Sequence, residues 1–303
     1  MTAFRVTDEI AGATRRLADA GIEAPRADAE WLLCHVLGID RGRLLVADDL
    51  TVDAAARYRD LVDRRAQRIP LQHLTGSAAF GPLELSVGPG VFVPRPETEW
   101  LLEWAVSELP GVCAPVVVDL CSGSGALAIG IAALVPTARV FAVEKSPEAG
   151  EWLRRNIIHC AVADRCVAVR ADVTDRHGAL DALTEAGWEG PADLVVSNPP
   201  YVPEGTDTSV EVGWDPHAAV FGGDDGMSVI TPMLPLIGAL LRPGGVAGIE
   251  HDETTAPAVL AAAQMSGLFT EVTGHDDLTG RPRFVTMRRA DAGAGEPRAR
   301  MAE

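Results

Sequence analysis

Val116-Val117-Val118-Asp119-Leu120-Cys121-Ser122-Gly123-Ser124-Gly125-Ala126-Leu127-Ala128 is the stretch that decides the fold. A β-branched run of strand type, Val116–Leu120, closes on a glycine-rich turn, and the turn opens an apolar helical pattern from Ser124 to Val135. Gly123 and Gly125 remove side chains where a ligand has to lie against backbone, and the N-terminus of the following helix offers N–H donors to a carboxylate or phosphate. Gly123-x-Gly125-x-x-Ala128 also satisfies the dinucleotide fingerprint G-x-G-x-x-G/A, and Glu144, 19 residues beyond Gly125, ends the next strand where a ribose-binding acid belongs. Taken alone, the motif fits NAD and S-adenosyl-L-methionine equally, with a purely structural turn as the bland alternative.

Strand and helix signals alternate outward from this point. The spacing predicts strands at 116–120, 139–144, 166–171, 193–197, 245–250, 269–273 and 284–288, with helices at 124–135, 147–160, 178–186, 228–241 and 254–265 between them. Such βαβ repetition predicts an α/β fold, a twisted, mostly parallel seven-stranded Rossmann-like sheet covered by helices. Upstream, Val6, Ile10, Ala13 and Leu17 recur at helical spacing, 27–37 stops at Gly38, and 53–68 stops before Pro70. Leu83, Leu85 and Val87 alternate against Glu84 and Ser86 among glycine and proline breaks, which predicts a β-hairpin. The expected division is a helical domain over 1–75, a hairpin connector over 76–97, a catalytic domain over 98–289 and a disordered tail over 290–303.

Composition narrows the classes. A 303-residue chain with 47% hydrophobic residues can bury a large core. Its five cysteines, Cys34, Cys113, Cys121, Cys160 and Cys166, are odd in number and form no C-x-x-C pair, so a reducing cytoplasm is expected and no Cys-based zinc site. The longest apolar run, 126–135, is far short of the roughly 18 residues of a spanning helix. No membrane association is expected. A net charge of −17 sits badly with gripping a phosphate backbone, so direct nucleic-acid binding is not expected. Residues 1–75 are near neutral, with 11 Arg against 12 acidic residues. Within them Arg57, Arg64 and Arg68 fall on one helical face, a stripe that could meet an acidic partner or, as the blander reading, a solvated face.

A second motif bears on chemistry. Asn198-Pro199-Pro200-Tyr201 follows directly on the apolar strand ending at Ser197 and looks like an amino-group methyltransferase signature. An amide NH2 is a poor nucleophile because its lone pair is delocalised, so a catalyst must hold both N–H hydrogens and turn the nitrogen toward an electrophilic methyl. The Asn198 side-chain oxygen and the Pro199 carbonyl are two acceptors, the prolines stiffen the turn, and Tyr201 offers a ring to a planar group. The bland alternative is a proline turn that ends a strand. Asp172, just past the third strand, can accept from an adenine amino group, or simply cap a turn in Asp172-Val173-Thr174-Asp175. Together these features favour S-adenosyl-L-methionine over NAD. The seven histidines show no H-E-x-x-H pairing, and no metal is expected.

These motifs together resemble the HemK-type protein-glutamine N5-methyltransferases that modify peptide chain release factors. The likeness runs through 26–30, 68–76, Phe92-Val93-Pro94-Arg95-Pro96-Glu97-Thr98-Glu99, the glycine turn, 197–201 and Phe221-Gly222-Gly223-Asp224-Asp225-Gly226, nearly the full chain. It implies S-adenosyl-L-methionine as cofactor and methyl transfer to the glutamine of a Gly-Gly-Gln loop in class-1 release factors. By position it implies that Cys121, Ser122, Gly123, Ser124 and Gly125 line the methionine end of the cofactor and that Glu144 holds the ribose hydroxyls. Asp172 and Val173 would border the adenine, and Asn198, Pro199, Pro200 and Tyr201 would clamp the glutamine amide. Glu144 stands where the family more often has Asp, while His251 and Trp214-Asp215-Pro216-His217 vary the expected edge of the substrate pocket. Two other readings stay open: an N6-adenine or N4-cytosine DNA methyltransferase, which must flip its base, and a cofactor-binding assembly factor without turnover.

Overall fold

The computed structural model describes residues 4–291. Apart from Ala290 and Asp291, the tail expected over 290–303 lies outside the described residues. The chain forms two compact units: 1–77 with 87–89 and 208–215, and the remainder.

The first unit is helical: α1 (Val6–Asp19), α2 (Pro25–Leu37), α3 (Val52–Ala66) and the short α4 (Leu71–Thr75), with a 3-10 turn at Arg41–Val46. Pro25 opens α2, where its missing N–H costs nothing, and Gly38 ends it at φ 65°. Thr51 caps α3 by accepting from Ala54 N. Leu17, Leu32, Leu33, Tyr58 and Val62 fill the core, and the Tyr58 hydroxyl donates to the Ala29 carbonyl at 3.0 Å.

The arginine stripe does not form. α3 ends at Ala66, and Arg68 follows in a left-handed conformation, φ 67°, so it leaves the helical face assigned to it by spacing. Its guanidinium instead takes Glu211 in a bidentate pair, Nε to Oε1 at 2.7 Å and Nη2 to Oε2 at 2.6 Å. Buried Arg65 bridges Asp28 at 2.7 Å and Glu211 at 3.1 Å. This network brings 208–215 into the helical unit, far in sequence from its helices.

In the second unit β1 (Ser77–Phe80) and β2 (Leu83–Ser86) form the two-stranded sheet expected of the connector. Beyond it come α5 (Thr98–Ser107), β3 (Val116–Leu120), α6 (Ala126–Leu134), β4 (Arg139–Glu144), α7 (Pro147–His159), β5 (Cys166–Arg170), α8 (Arg176–Glu185) and β6 (Ala192–Ser197). The rest is α9 (His217–Val220), α10 (Ile230–Leu240), β7 (Leu241–Glu250), α11 (Ala256–Met265), β8 (Phe269–Asp276) and β9 (Pro282–Arg289). The predicted seven-stranded sheet is present in the order β5-β4-β3-β6-β7-β9-β8, parallel except where β9 runs against β7 and β8.

Alternation along β3 builds both faces of this sheet. Val118 and Leu120 join Phe141, Ile230, Met233 and Ile237 in one apolar cluster, while Val117 joins Leu101, Ile129, Ile131 and Leu153 in the other. Helix α5 follows the prolines of Pro94-Arg95-Pro96 and has no counterpart in the periodicity reading; its Leu101 and the Trp104 ring lie over Gly248, where a Cβ would come within 2.6 Å of both. The carboxyl ends of β3 and β6, where successive crossovers leave in opposite directions, are the switch point at which ligands of such sheets bind.

Candidate active site

Register fixes the edge on which the candidate residues meet. Leu120 of β3 pairs with Val143 of β4 and with Ser197 of β6, and Ser197 pairs with Ile249 of β7. The strands therefore run out level with one another, and Asp172, Glu144, Cys121, Asn198 and Glu250 follow one another along a single sheet edge. The Ser197 hydroxyl donates to the Leu120 carbonyl at 2.7 Å and ties the two central strand ends together.

The glycine turn leaves β3 through three left-handed residues, Cys121 at φ 62°, Gly123 at 55° and Gly125 at 92°. The two glycines have different work. A Cβ on Gly125 would lie 2.7 Å from Ile129 Cδ1 and from Leu153 Cδ1, so this glycine lets α6 begin against α7. A Cβ on Gly123 would meet nothing within 4 Å, and there the backbone is open to an approaching cofactor. Ser122 and Ser124 are buried in the turn. Burial pushes the Asp119 carboxyl up to about 7, against the Ser122 hydroxyl and the Ala128 amide, which favour its charged form. Its Oδ2 accepts from Ala128 N at 3.1 Å, in the first turn of α6.

Glu144 also braces the turn. Its Oε2 accepts from Gly123 N at 2.8 Å and its Oε1 from Ser146 N at 2.7 Å. Burial raises its pKa, opposed by the main-chain amides of Ser146, Gly123 and Lys145. Each carboxylate oxygen keeps a lone pair, so two ribose hydroxyls can still donate to it. Glu144 thus spans the turn and the start of α7. Asp172 is more committed to its own surroundings: Oδ1 accepts from Thr174 N and Oγ1 at 3.0 and 2.7 Å, and Oδ2 pairs with Lys145 Nζ at 2.7 Å. Burial works to raise its pKa, but Lys145 and Thr174 hold it below the ordinary value. Val173 is buried in the apolar core. For Asp172, the turn reading of the sequence describes what the side chain does within the protein.

Asn198 is held by one hydrogen bond of defined sense, Nδ2 to Thr98 Oγ1 at 3.0 Å. Tyr201 is half-buried, and its hydroxyl donates to Glu250 Oε1 at 2.9 Å. Burial, with the charge of Glu250, pushes the phenol well above its ordinary pKa, so it stays a donor. Glu250 is itself buried, which lifts its carboxyl to about 7, while hydrogen bonding from Thr98 and Tyr201 pulls it down.

The turn is packed from behind by Phe221-Gly222-Gly223-Asp224-Asp225-Gly226. Val202 N donates to the Val220 carbonyl and Gly222 N returns to the Val202 carbonyl at 3.0 and 2.9 Å. A Cβ on Gly222 would come within 2.6 Å of the Pro200 carbonyl oxygen, and one on Gly226 within 2.3 Å of that of Tyr201. Only glycine lets these two main-chain segments approach so closely.

Asp119, Thr98 and Glu250 were assigned no role from the sequence. Two left a trace, because Asp119 and Glu250 are charges at the ends of otherwise apolar strands. Thr98 left none beyond its motif. Of the two departures, His251 is buried, its Nδ1 is 3.0 Å from the Asp252 carbonyl oxygen, and burial lowers its pKa. Trp214 is half exposed in the helical unit, and His217 in the other unit packs on the Phe221 ring with centroids 4.6 Å apart.

Comparison with known proteins decides the family. The PrmC N-terminal domain family matches residues 10–76, and the TRM5/TYW2 methyltransferase domain family matches 112–184. The release factor glutamine methyltransferase of Mycolicibacterium smegmatis is 53% identical over 95% of this chain and 99% of its own length. That of Corynebacterium glutamicum is 47% identical over 91% and 96%. The chain belongs to the release factor glutamine methyltransferase family. A methyltransferase from Pyrococcus furiosus, 17% identical, covers 75% of the chain and 98% of its own at a TM-score of 0.50, a likeness of fold. The family's N-terminal profile ends at Gly76, next to the first connector strand.

Proposed function

We propose that this chain transfers the methyl group of S-adenosyl-L-methionine to the side-chain nitrogen of a glutamine in class-1 peptide chain release factors, giving N5-methylglutamine in a Gly-Gly-Gln loop. The observation that carries the reading is the hydrogen bond from Asn198 Nδ2 to Thr98, which leaves Asn198 Oδ1 as the free end of the side chain at the switch point. A glutamine NH2 has only hydrogens to offer, and Oδ1 is an acceptor. Full-length likeness to proteins named for this activity supports the substrate.

The donor set fits the cofactor. Gly123 exposes backbone, Glu144 keeps two lone pairs for ribose hydroxyls, and the α6 N-terminus suits a carboxylate. When bound, the cofactor supplies a sulfonium-activated methyl. The chain supplies alignment: Asn198 Oδ1 and the Pro199 carbonyl would each accept one amide hydrogen, and the Tyr201 ring would pack on the amide plane. Both acceptors also draw electron density toward the nitrogen, and the proton released after transfer can pass to water. The positive charge delivered to the amide leaves with that proton, so the site gains no net charge to disperse.

The helical unit is proposed as the part that recognises the release factor, with 76–97 as connector and 98–289 as catalytic domain. Its setting would be the cytoplasm, where the five cysteines, all free thiols here, stay reduced. Among the described residues no helix is long and apolar enough to cross a membrane. Incubation with radiolabelled S-adenosyl-L-methionine and a release factor, with duplex DNA or with buffer alone tests the reading. Label is expected on the release factor only, as one methyl on the Gly-Gly-Gln peptide by mass spectrometry; label on DNA, or on nothing, overturns it.

A further inference from the structure

We propose that Thr98 and Glu250 are positioning residues that set which end of the Asn198 amide faces the substrate. This rests on the reading of Asn198 as acceptor for the glutamine amide. An asparagine side chain has nearly the same shape with its oxygen and nitrogen exchanged, so packing alone does not choose between the two. The choice decides activity. With Oδ1 outward the residue accepts from an amide NH2; with Nδ2 outward it presents donors to donors and repels the group it has to hold.

The neighbours break this symmetry. Thr98 and Glu250 are each buried to 3% exposure, so their polar atoms have to find partners inside the protein. The Thr98 hydroxyl has a single hydrogen. A carboxylate oxygen of Glu250 accepts, and a Thr98 hydroxyl that turns toward it spends its hydrogen there. What Thr98 has left for Asn198 is lone pairs, and Asn198 answers with Nδ2 at 3.0 Å. Reversing Asn198 would set its oxygen against an oxygen with no hydrogen between them. Glu250 also accepts from Tyr201, at the other end of Asn198-Pro199-Pro200-Tyr201. Its Oε2 has no hydrogen-bond partner among the described residues and is a spare acceptor for the Thr98 hydrogen. Backbone register supports the placement, since Ser197 and Ile249 are paired residues immediately before Asn198 and Glu250.

Thr98→Val keeps the shape of the side chain and removes the hydroxyl, whereas Thr98→Ser keeps the hydroxyl. The measurement is steady-state methylation of an intact release factor, with cofactor affinity by calorimetry and melting temperature as controls. Thr98→Val is expected to lose roughly 10²-fold in kcat with cofactor affinity within a few-fold of native, the scale of a misaligned reacting group. Thr98→Ser should recover most of that rate. A purely structural role would instead lower melting temperature and cofactor binding together, with Thr98→Ser offering no special rescue in kcat. If Thr98→Val does not fold, Glu250→Gln decides by the same split: this isostere can donate as well as accept, so the sense of the chain is released and kcat falls several-fold at unchanged cofactor affinity. Native kcat in whichever of these variants folds overturns the proposal. If the native enzyme methylates no release factor, the underlying reading has failed instead, and the two failures are told apart by that control.

Discussion

Arg68 and Glu211 meet in a bidentate pair, with Nη2 to Oε2 at 2.6 Å and Nε to Oε1 at 2.7 Å, although 143 residues separate them in the chain. The pair belongs to the helical unit, but Glu211 sits on a segment that departs from the second unit at Thr208, seven residues after Tyr201, and returns at Pro216. Arg68 bonding, with Arg65 in support, holds the Glu211 carboxyl down at about 2. A carboxyl with a depressed folded pKa contributes stability that is present above its ordinary 4.5 and is lost as pH falls toward about 2. Glu211→Gln should therefore speed hydrogen exchange in 208–215 at neutral pH and flatten its acid dependence below about pH 4. Unchanged exchange there would show that backbone packing holds the segment without the ion pair. The same geometry makes Arg68→Glu a poor probe of release-factor docking, because it would break the unit's own tie; Arg57 and Arg64 are the exposed members of that group.

Glu144→Ala removes an acceptor from two main-chain amides and, on the proposed reading, from the cofactor ribose. Affinity for S-adenosyl-L-methionine should fall by about 2–4 kcal/mol if both ribose bonds are charge-assisted. The melting temperature of the cofactor-free protein should fall too, because Gly123 N and Ser146 N lose their partner. Calorimetry that finds native affinity would remove Glu144 from the cofactor site.

Gly226→Ala tests the brace behind the Asn-Pro-Pro-Tyr turn. Its φ is 74°, and the added Cβ would meet the Tyr201 carbonyl at 2.3 Å, a main-chain atom that cannot rotate away. A destabilisation of roughly 2–5 kcal/mol is expected from overpacking plus backbone strain. Gly280→Ala, at a φ of 78° with open space around it, should show the strain alone. Equal losses in the two variants, read by denaturant midpoints, would mean that the close approach is not what Gly226 provides.

Asp119 and Glu250 give the fold an unusual pH dependence. Burial raises both to about 7, from 3.8 and 4.5. Around Glu250 the charge of Glu97 adds to the rise, and Arg283 with the Thr98 and Tyr201 hydroxyls opposes it. The folded protein thus holds these protons to higher pH than the unfolded chain does, and their contribution to stability declines as pH rises from about 4 to about 7. Melting curves should show that decline, less steeply in Glu250→Gln. A variant with the native slope would place the titration elsewhere.

The sheet was legible because each of its strands is a short apolar run bounded by a breaker, and the order of acids after β4 and β5 marked the ligand edge. α5 was not, since Thr98–Ser107 precedes the first strand of the large sheet and lies outside the strand and helix alternation that marked the other elements. The packing role of Gly125 was hidden for a related reason. Sequence shows that a glycine is present, and only packing shows that Leu153 of α7 occupies the space its side chain would need. The arginine stripe failed because helical spacing was extended two residues past the end of α3, where a left-handed residue redirects Arg68. Thr98 as the partner of Asn198 and Glu250 as the partner of Tyr201 were invisible, since contacts across 100 and 49 positions follow from the tertiary fold and not from local pattern.

Asn198→Ala should separate chemistry from binding. The side chain contributes no atom to the glycine turn, and its one internal bond is to Thr98, so folding and cofactor affinity are expected to stay near native. Losing the acceptor that aligns the amide should cut kcat by about 100-fold or more, the usual effect of deleting an orienting group at a reacting centre. Tyr201→Phe should be milder, because the ring remains, although Glu250 Oε1 then loses its donor. Single-turnover methylation of a release factor with saturating cofactor reads the chemical step directly. Near-native turnover by a folded Asn198→Ala enzyme would show that the Pro199 carbonyl and the substrate's own loop align the amide unaided, and the asparagine would revert to a strand-ending turn residue.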